Sequence, residues 1–347
     1  MAKAPRPKTY HRLTPRGNPF LLSIVIPLYN EEPAAPFLRQ RMSGFLDTLP
    51  CPVELILVND GSMDRTVELI EDWALSDSRV KVLNLARNFG HQAAATAGLD
   101  YASGDAVVLM DADLQDPPEV IHRMLDEYRR GYDVVYGKRA KREGETWFKK
   151  ASAWLFYRLM KKLVMQDLET DVGDFRLVSR RCLDALNKMR ETHRFLRGMV
   201  SWVGFPQTSV EFVRQPRVGG ETKYPLSKML LFAWTAAVSF SPRPLRVSFA
   251  LGILIALFGL AEGVYAVTRL MLGLYVVPGW TSMIVVVCLI GGAILISIGV
   301  LGEYVGRIFE ESKGRPLYVV ATTTSMPEQY MSEQIVALAK QEQMELQ

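Results

Sequence analysis

The chain has 347 residues, 49% of them hydrophobic, with 41 Lys and Arg against 37 Asp and Glu. A net charge of +4 gives no sign of nucleic-acid binding, and a slightly positive mean hydropathy is high for a wholly soluble enzyme. Cys51, Cys182 and Cys288 lie too far apart for a metal knuckle or a disulfide framework, which fits reducing surroundings.

Residues 1–20 are basic (Lys3, Arg6, Lys8, Arg12, Arg16) and have no apolar stretch before Phe20. They read as a flexible basic arm, not a signal peptide. Short apolar runs then alternate with amphipathic ones. Strands are predicted at residues 21–26, 53–58, 80–85 and 106–110, with a fifth at 133–136; Pro27 is expected to end the first. Helices are predicted at 34–46, 65–75, 91–101 and 118–130, the last with Pro118 in its first turn. This alternation implies βαβ units, an α/β fold and a mainly parallel, Rossmann-like sheet flanked by helices. Ligands of such sheets bind beyond the carboxyl ends of the strands.

Residues 147–164 mix Trp147, Phe148, Trp154, Phe156 and Tyr157 with five Lys and Arg. Two readings stand: a helix in the lipid headgroup region, or a helix packed on the sheet. Residues 227–239 are apolar but short and read as an interfacial helix. Residues 247–267 and 280–302 are each long enough to span about 30 Å of hydrocarbon. Arg243 and Arg246 precede the first, while Arg307, Lys313 and Arg315 follow the second. The positive-inside rule then puts both flanks in the cytoplasm, with an outer hairpin at 273–279. Glu262 interrupts the first span, as a functional group or as a hydrogen-bonding group between helices. The expected layout is an arm (1–20), a catalytic domain (21–226), an interfacial helix and linker (227–244), two transmembrane helices (245–306) and a cytoplasmic tail (307–347).

The chemistry gathers at strand ends. Asp111-Ala112-Asp113-Leu114-Gln115 follows the fourth strand, and period-2 alternation aims both carboxylates the same way. Two such carboxylates can seat a divalent cation and a phosphorylated ligand. A lone DxD is more often a solvated turn. However, Pro27-Leu-Tyr29-Asn30-Glu31-Glu32 and Asn59-Asp60-Gly61-Ser62 end two other strands on the same rim. Asp60 can accept hydrogen bonds from a base or ribose, and Gly61 permits a tight turn. Arg87 and Asn88 precede a helix whose amino end favours anions, and they fit an ordinary turn equally well.

The set PLYNEE, VNDGS, RNFGHQAAATAG, DADLQDPPE, GDFRL and GGETKYPLSKM resembles the inverting family 2 glycosyltransferases with a GT-A fold. Within them it is similar to polyprenyl-phosphate glycosyltransferases: bactoprenol glucosyltransferases and dolichol-phosphate mannose synthases. The likeness covers residues 22–320. It implies that Pro27, Tyr29, Glu31, Val58 and Asp60 hold a nucleoside, and that Asp111, Ala112, Asp113 and Gln115 meet the donor and Mg2+ or Mn2+. One departure is Asn59, where many relatives have a first Asp; Asp60 remains.

The resemblance makes Asp174 the acceptor-side aspartate, which orients the acceptor or takes its residual proton. Its structural alternative is an N-cap or an ion pair with Arg176. Arg139, Arg176, Arg217 and Lys223 are the implied phosphate clamps, and residues 193–198 a structural piece near the acceptor groove. The implied reaction is transfer of one sugar, glucose from UDP-glucose, to undecaprenyl phosphate with inversion. Its setting is the inner leaflet of the cytoplasmic membrane, the partners are a nucleotide sugar and a lipid phosphate, and homo-oligomers occur among relatives. Mannose, N-acetylglucosamine or an aminosugar donor are alternatives. A processive synthase normally carries QxxRW and more spans, neither of which is present, and an inactive scaffold has no need of Asp111, Asp113 and Asp174.

Overall fold

The computed structural model describes residues 13–139, 172–213, 243–272 and 279–325. Residues 147–164 and 227–239, most of the expected outer hairpin, Arg217 and Lys223 lie outside them. The described residues divide into two units: a sheet domain that takes in residues from 316 onward, and a pair of long helices.

The sheet domain starts with β1 (Leu22–Leu28), α1 (Ala35–Leu46), β2 (Val53–Asn59), α2 (Thr66–Ser76), β3 (Val80–Leu85), α3 (His91–Tyr101), β4 (Ala106–Leu109) and α4 (Val120–Arg129). It continues with β5 (Val134–Arg139), β6 (Val172–Ser179), α5 (Arg180–Asn187), α6 (Leu196–Val203) and β7 (Gln207–Phe212). One sheet runs in the order β7-β5-β6-β4-β1-β2-β3-β8, where β8 is Val320–Thr324. β1, β2, β3 and β4 are parallel, as the alternating pattern predicted, and β6 runs antiparallel to β4 and β5. Strand order reverses between β1 and β4, and in open α/β sheets ligands bind beyond the carboxyl ends of the strands at such a switch point. The GT-A expectation of a mainly parallel sheet flanked by helices is borne out.

β1 is buried along its whole length, which is why it reads as a continuous apolar run. It passes through Pro27 instead of ending there. The pairing explains the difference. β4 accompanies β1 only as far as Val25, so beyond that point the strand has no ladder on that side to lose. Two apolar cores cover the two faces of the sheet. One packs β1, β2 and β4 against α1, α2 and α4. The other packs the opposite face against α3, α5 and α6. α3 is rich in Ala because it lies very close to the sheet: a Cβ on Gly98 would sit 2.2 Å from Val25 Cγ1.

Residues 13–20 are not a free arm. Arg16 donates Nε to the Tyr128 carbonyl at 2.9 Å, stacks 4.1 Å over the Tyr128 ring and reaches Asp133 at 3.3 Å. Asp133 is fully buried and is also held by Arg181 and by the Ser179 hydroxyl. A buried carboxylate must be paired, so Arg16 is drawn onto the domain. Burial opposes ionisation of Asp133, but the bonds from Arg181 and Ser179 outweigh it and hold its carboxyl below the usual range. This anchor adds stability above about pH 4 that fades as pH falls through the lowered value. Asp133→Ala is expected to cost about 2 kcal/mol in urea unfolding, because it removes the charged acceptor shared by Arg181, Arg16 and the Ser179 hydroxyl.

Of the expected tail, 307–347, the described part up to residue 325 joins the sheet domain from residue 316 onward. Tyr318 is buried in the core, and β8 pairs antiparallel with β3. Without it β3 would be an open edge beside the active rim. The second unit consists of α7 (Arg243–Met271) and α8 (Trp280–Ser312). Both contain windows long and apolar enough to cross a membrane, Ser248–Tyr265 and Leu289–Ser312, each with mean hydropathy 1.8. Ser248 and Ser297 hydrogen-bond across the pair at 2.8 Å.

Candidate active site

The loops after β1 and β2 are tied together. The backbone N–H of Asn30 donates to Ser62 Oγ at 3.0 Å, and that of Met63 donates to Asn30 Oδ1 at 2.9 Å. The Glu31 N–H donates to Thr66 Oγ1, and the Glu32 N–H to Asp64 Oδ2. Asn30 takes a left-handed φ of 53°, a conformation Asn tolerates. The result is a braced ledge with Tyr29 exposed and Glu31 half-buried. Pro27 and Val58 are buried in the sheet, so only their backbones are available to a nucleoside there.

Asp60 does not face outward. It is 2% exposed, and its carboxylate accepts the N–H groups of Phe89 at 2.7 Å and Gly90 at 3.0 Å. It binds the β3–α3 loop to the β2–α2 loop. Burial pushes its pKa up, against the two N–H bonds that lower it. Gly61 makes this packing possible. Its φ is +67°, and a Cβ there would stand 2.4 Å from the Arg87 carbonyl carbon. Gly61→Ala is therefore expected to raise the KM for a nucleotide donor about tenfold or more, since backbone cannot yield as a side chain does. An unchanged KM would show that the two loops are not coupled. Arg87 stacks 4.1 Å over Phe89 and donates to the Asn88 carbonyl, so it stiffens this loop.

After β4 the predicted alternation holds: Asp111, Asp113 and Gln115 are partly exposed while Ala112, Leu114 and Asp116 are buried. Asp113 Oδ1 accepts the Gln115 N–H at 3.1 Å, and Leu114 takes φ 54°, which makes the turn tight. Asp174 reaches the same place from another direction. β6 runs antiparallel to β4, pairing Arg176 with Leu109, so the early residues of β6 stand at the carboxyl end of β4.

His91 joins the two. Its Nε2 lies 3.6 Å from Asp111 Oδ1 and 3.5 Å from Asp174 Oδ2. Arg197, from α6, forks onto Asp174 with Nε at 2.8 Å and Nη2 at 3.2 Å. Sequence reading assigned His91 no role at this centre and placed Arg197 only within a structural piece near the acceptor groove; it stands against Asp174. The one available signal for His91 was its place as the first residue of a helix following Asn-Phe-Gly. Arg176 has a different task from the phosphate clamp expected of it. It is 5% exposed and donates to the carbonyls of Asp174 and Gly173 on its own strand. Burial lowers its pKa to about 10, against the pull of Asp174. Arg139 ends β5 and stands 3.8 Å from Asp116.

The electrostatics separate the two carboxylates. Burial raises the Asp111 pKa, and the charges of Asp174 and Asp113 add to the rise against the opposing pull of His91. Asp174 is buried too, but the hydrogen bond from His91 and the charges of Arg197 and Arg176 outweigh that, and its carboxyl lies far below the usual range. The Asp174 bond in turn raises the His91 pKa, against burial. Among the described residues no three His, Cys, Asp or Glu gather as a complete metal cage. Mg2+ or Mn2+ can be held jointly by one or two carboxylates and a substrate's phosphates, and Asp111 and Asp113 are the carboxylates here that could supply such a share.

Residues 23–186 match the family model "Glycosyl transferase family 2". The uncharacterized glycosyltransferase YkcC of Bacillus subtilis is 48% identical over 86% of this chain and 92% of its own length. The bactoprenol glucosyl transferase of Shigella phage SfV is 40% identical over 86% of this chain and 97% of its own. A prophage bactoprenol glucosyl transferase homolog of Escherichia coli K12 is 38% identical over 86% and 98%. With relatives this similar over nearly their full length, the chain belongs to glycosyltransferase family 2.

Proposed function

We propose that this glycosyltransferase moves one sugar, glucose from UDP-glucose, onto undecaprenyl phosphate at the cytoplasmic face of a membrane. The observation that carries the reading is the pairing of Asp111 with Asp174 across His91, at the switch point beside the Tyr29 ledge. The relatives named as bactoprenol glucosyl transferases support the lipid acceptor. α7 and α8 support a membrane setting with the flanking Arg and Lys inside.

In this reading the Tyr29–Glu31 ledge and the backbones of Pro27 and Val58 hold the nucleoside. Asp60 positions the loop beside them. Asp111 and Asp113, with Gln115 and the backbone at Ala112, would hold Mg2+ or Mn2+ and meet the donor. The bound cation would offset diphosphate charge and stabilise the departing nucleotide. Asp174 stays ionised and does not serve as a proton acceptor at neutral pH. None is needed, because a phosphate monoester (second pKa about 6) is already largely ionised there. Asp174 instead holds Arg197 and His91 in place for the acceptor phosphate. Arg139, Arg217 and Lys223 complete its recognition as separate cations. A phosphate oxygen attacks the anomeric carbon in line, the bond to the UDP oxygen breaks, and configuration inverts. The test is incubation of membranes carrying the protein with radiolabelled UDP-glucose and undecaprenyl phosphate, with and without EDTA. Label in a lipid product, lost with EDTA, is the expected result. Transfer only from another nucleotide sugar changes the donor, and transfer untouched by EDTA removes the metal.

A further inference from the structure

Residues 317–324 follow the second long helix in sequence and had no assigned task beyond completing the chain. Three of their contacts flank the stretch that runs from the exit of β3 through α3. Thr322 Oγ1 accepts from Asn84 Nδ2 at 3.0 Å. The Val319 carbonyl accepts the Ala86 N–H at 2.8 Å. The Tyr318 hydroxyl donates to Asp100 Oδ2 at 2.7 Å. Asn84 and Ala86 stand at the exit of β3, and Asp100 lies in the last turn of α3. The segment therefore grips both ends of the stretch that carries Phe89, Gly90 and His91.

Asn84 carries this grip inward. Its Oδ1 accepts from Asn59 Nδ2 at 3.2 Å, and Asn59 Oδ1 accepts the Ser62 N–H at 3.0 Å. Ser62 Oγ in turn accepts the N–H of Asn30, next to Tyr29. Asn59 and Asn84 are 3% and 7% exposed, so water does not substitute for these bonds. The polarity is fixed at one end. Asn84 Nδ2 also donates to Glu71 Oε1 at 2.7 Å, which leaves the Asn84 oxygen facing Asn59. Position 59 must then offer a donor. An aspartate there would set two acceptors against each other, whereas asparagine satisfies both neighbours.

We propose that residues 317–324 are part of the donor site, with Thr322 and Asn84 as positioning residues. Through Asn59 and Ser62 they hold the Asn30 backbone and hence the nucleoside ledge. This rests on the reading of that ledge as the place of the donor. The test uses the full chain in membranes, with UDP-glucose and undecaprenyl phosphate varied separately. Asn84→Ala raises the KM for UDP-glucose about tenfold. Thr322→Val, an exposed and nearly isosteric change, raises it about twofold to threefold, and Thr322→Ser restores it. The KM for undecaprenyl phosphate and kcat stay within about twofold in all three. Unchanged donor KM in both Asn84→Ala and Thr322→Val overturns the inference, as does an equal loss in kcat and in both KM values, which marks general loosening. Wild-type membranes that turn over no nucleotide sugar overturn the donor reading, and the inference falls with it.

Discussion

Asp174→Asn is expected to lower kcat about a hundredfold or more while the KM for the nucleotide sugar changes little. The carboxylate is the shared partner of Arg197, His91 and Arg176. An amide keeps the shape but not the charge, so Arg197 and Arg176 lose their common counterion and His91 loses its charged partner. Their positions then relax, and the acceptor phosphate loses its aim. Stability should fall as well, by about 3 kcal/mol, the low end for a broken buried pair because the Arg197 side chain is 36% exposed. Denaturant unfolding beside kinetics separates the two effects: a folded Asp174→Asn enzyme with near-normal kcat removes Asp174 from the chemistry. The same cluster sets a pH dependence. Asp174 has a lowered pKa, so its stabilisation is complete above about pH 4 and fades only in stronger acid. His91 has a raised pKa, so its share is complete below about pH 6.5 and fades as pH climbs through the raised value. Unfolding free energy against pH should show the alkaline decline in the wild type and lose it in His91→Gln.

The second large effect is expected at Asp111. Asp111→Asn should cut turnover by about 10²- to 10⁴-fold, the scale of a lost Lewis acid. Its side chain is 30% exposed beside His91 and carries a raised pKa, so it is a carboxylate held in an unfavourable setting. A cation relieves that setting, and so metal affinity and turnover should fall together. Titrating Mg2+ and Mn2+ into wild type and variant reads this directly. Raised metal should recover little activity, because the amide oxygen is a weaker ligand. Binding of uridine, which lacks phosphates, should be unchanged. A variant that keeps wild-type metal dependence would move the cation site elsewhere. Asp113→Asn should be compared with it, since Asp113 also closes the Gln115 turn.

Much of this centre was legible in the chain. The parallel strands β1 to β4 announce themselves as short apolar runs, and the motifs at their ends are local. The rest depends on pairing that local patterns do not carry. β6 contains the recognised Gly173-Asp174-Phe175-Arg176-Leu177 motif, but nothing nearby says that it runs antiparallel beside β4. That direction is what brings Asp174 to Asp111. Arg197 meets Asp174 across 23 residues of sequence, and His91 meets both from a third element. β8 falls inside the expected cytoplasmic tail because Val-Ala-Thr-Thr-Thr is short and half-exposed, with no apolar run to mark a strand. Asp60 was expected to face a ligand because its motif ends a strand; only the close approach of the Phe89 loop shows that it is enclosed.

The position of β8 in the chain also has a consequence for biogenesis. Translation proceeds from the amino end, and β8 lies beyond both long apolar helices. Until Thr324 has left the ribosome, β3 exposes unpaired N–H and C=O groups along residues 82–85. At about 5–20 residues per second, the interval from the end of β7 at Phe212 to Thr324 is several seconds or more. During that time the sheet is incomplete while both apolar helices are being delivered. β8, the last strand among the described residues, thus closes the domain only after both apolar helices have been made, which orders completion of the candidate site behind their synthesis.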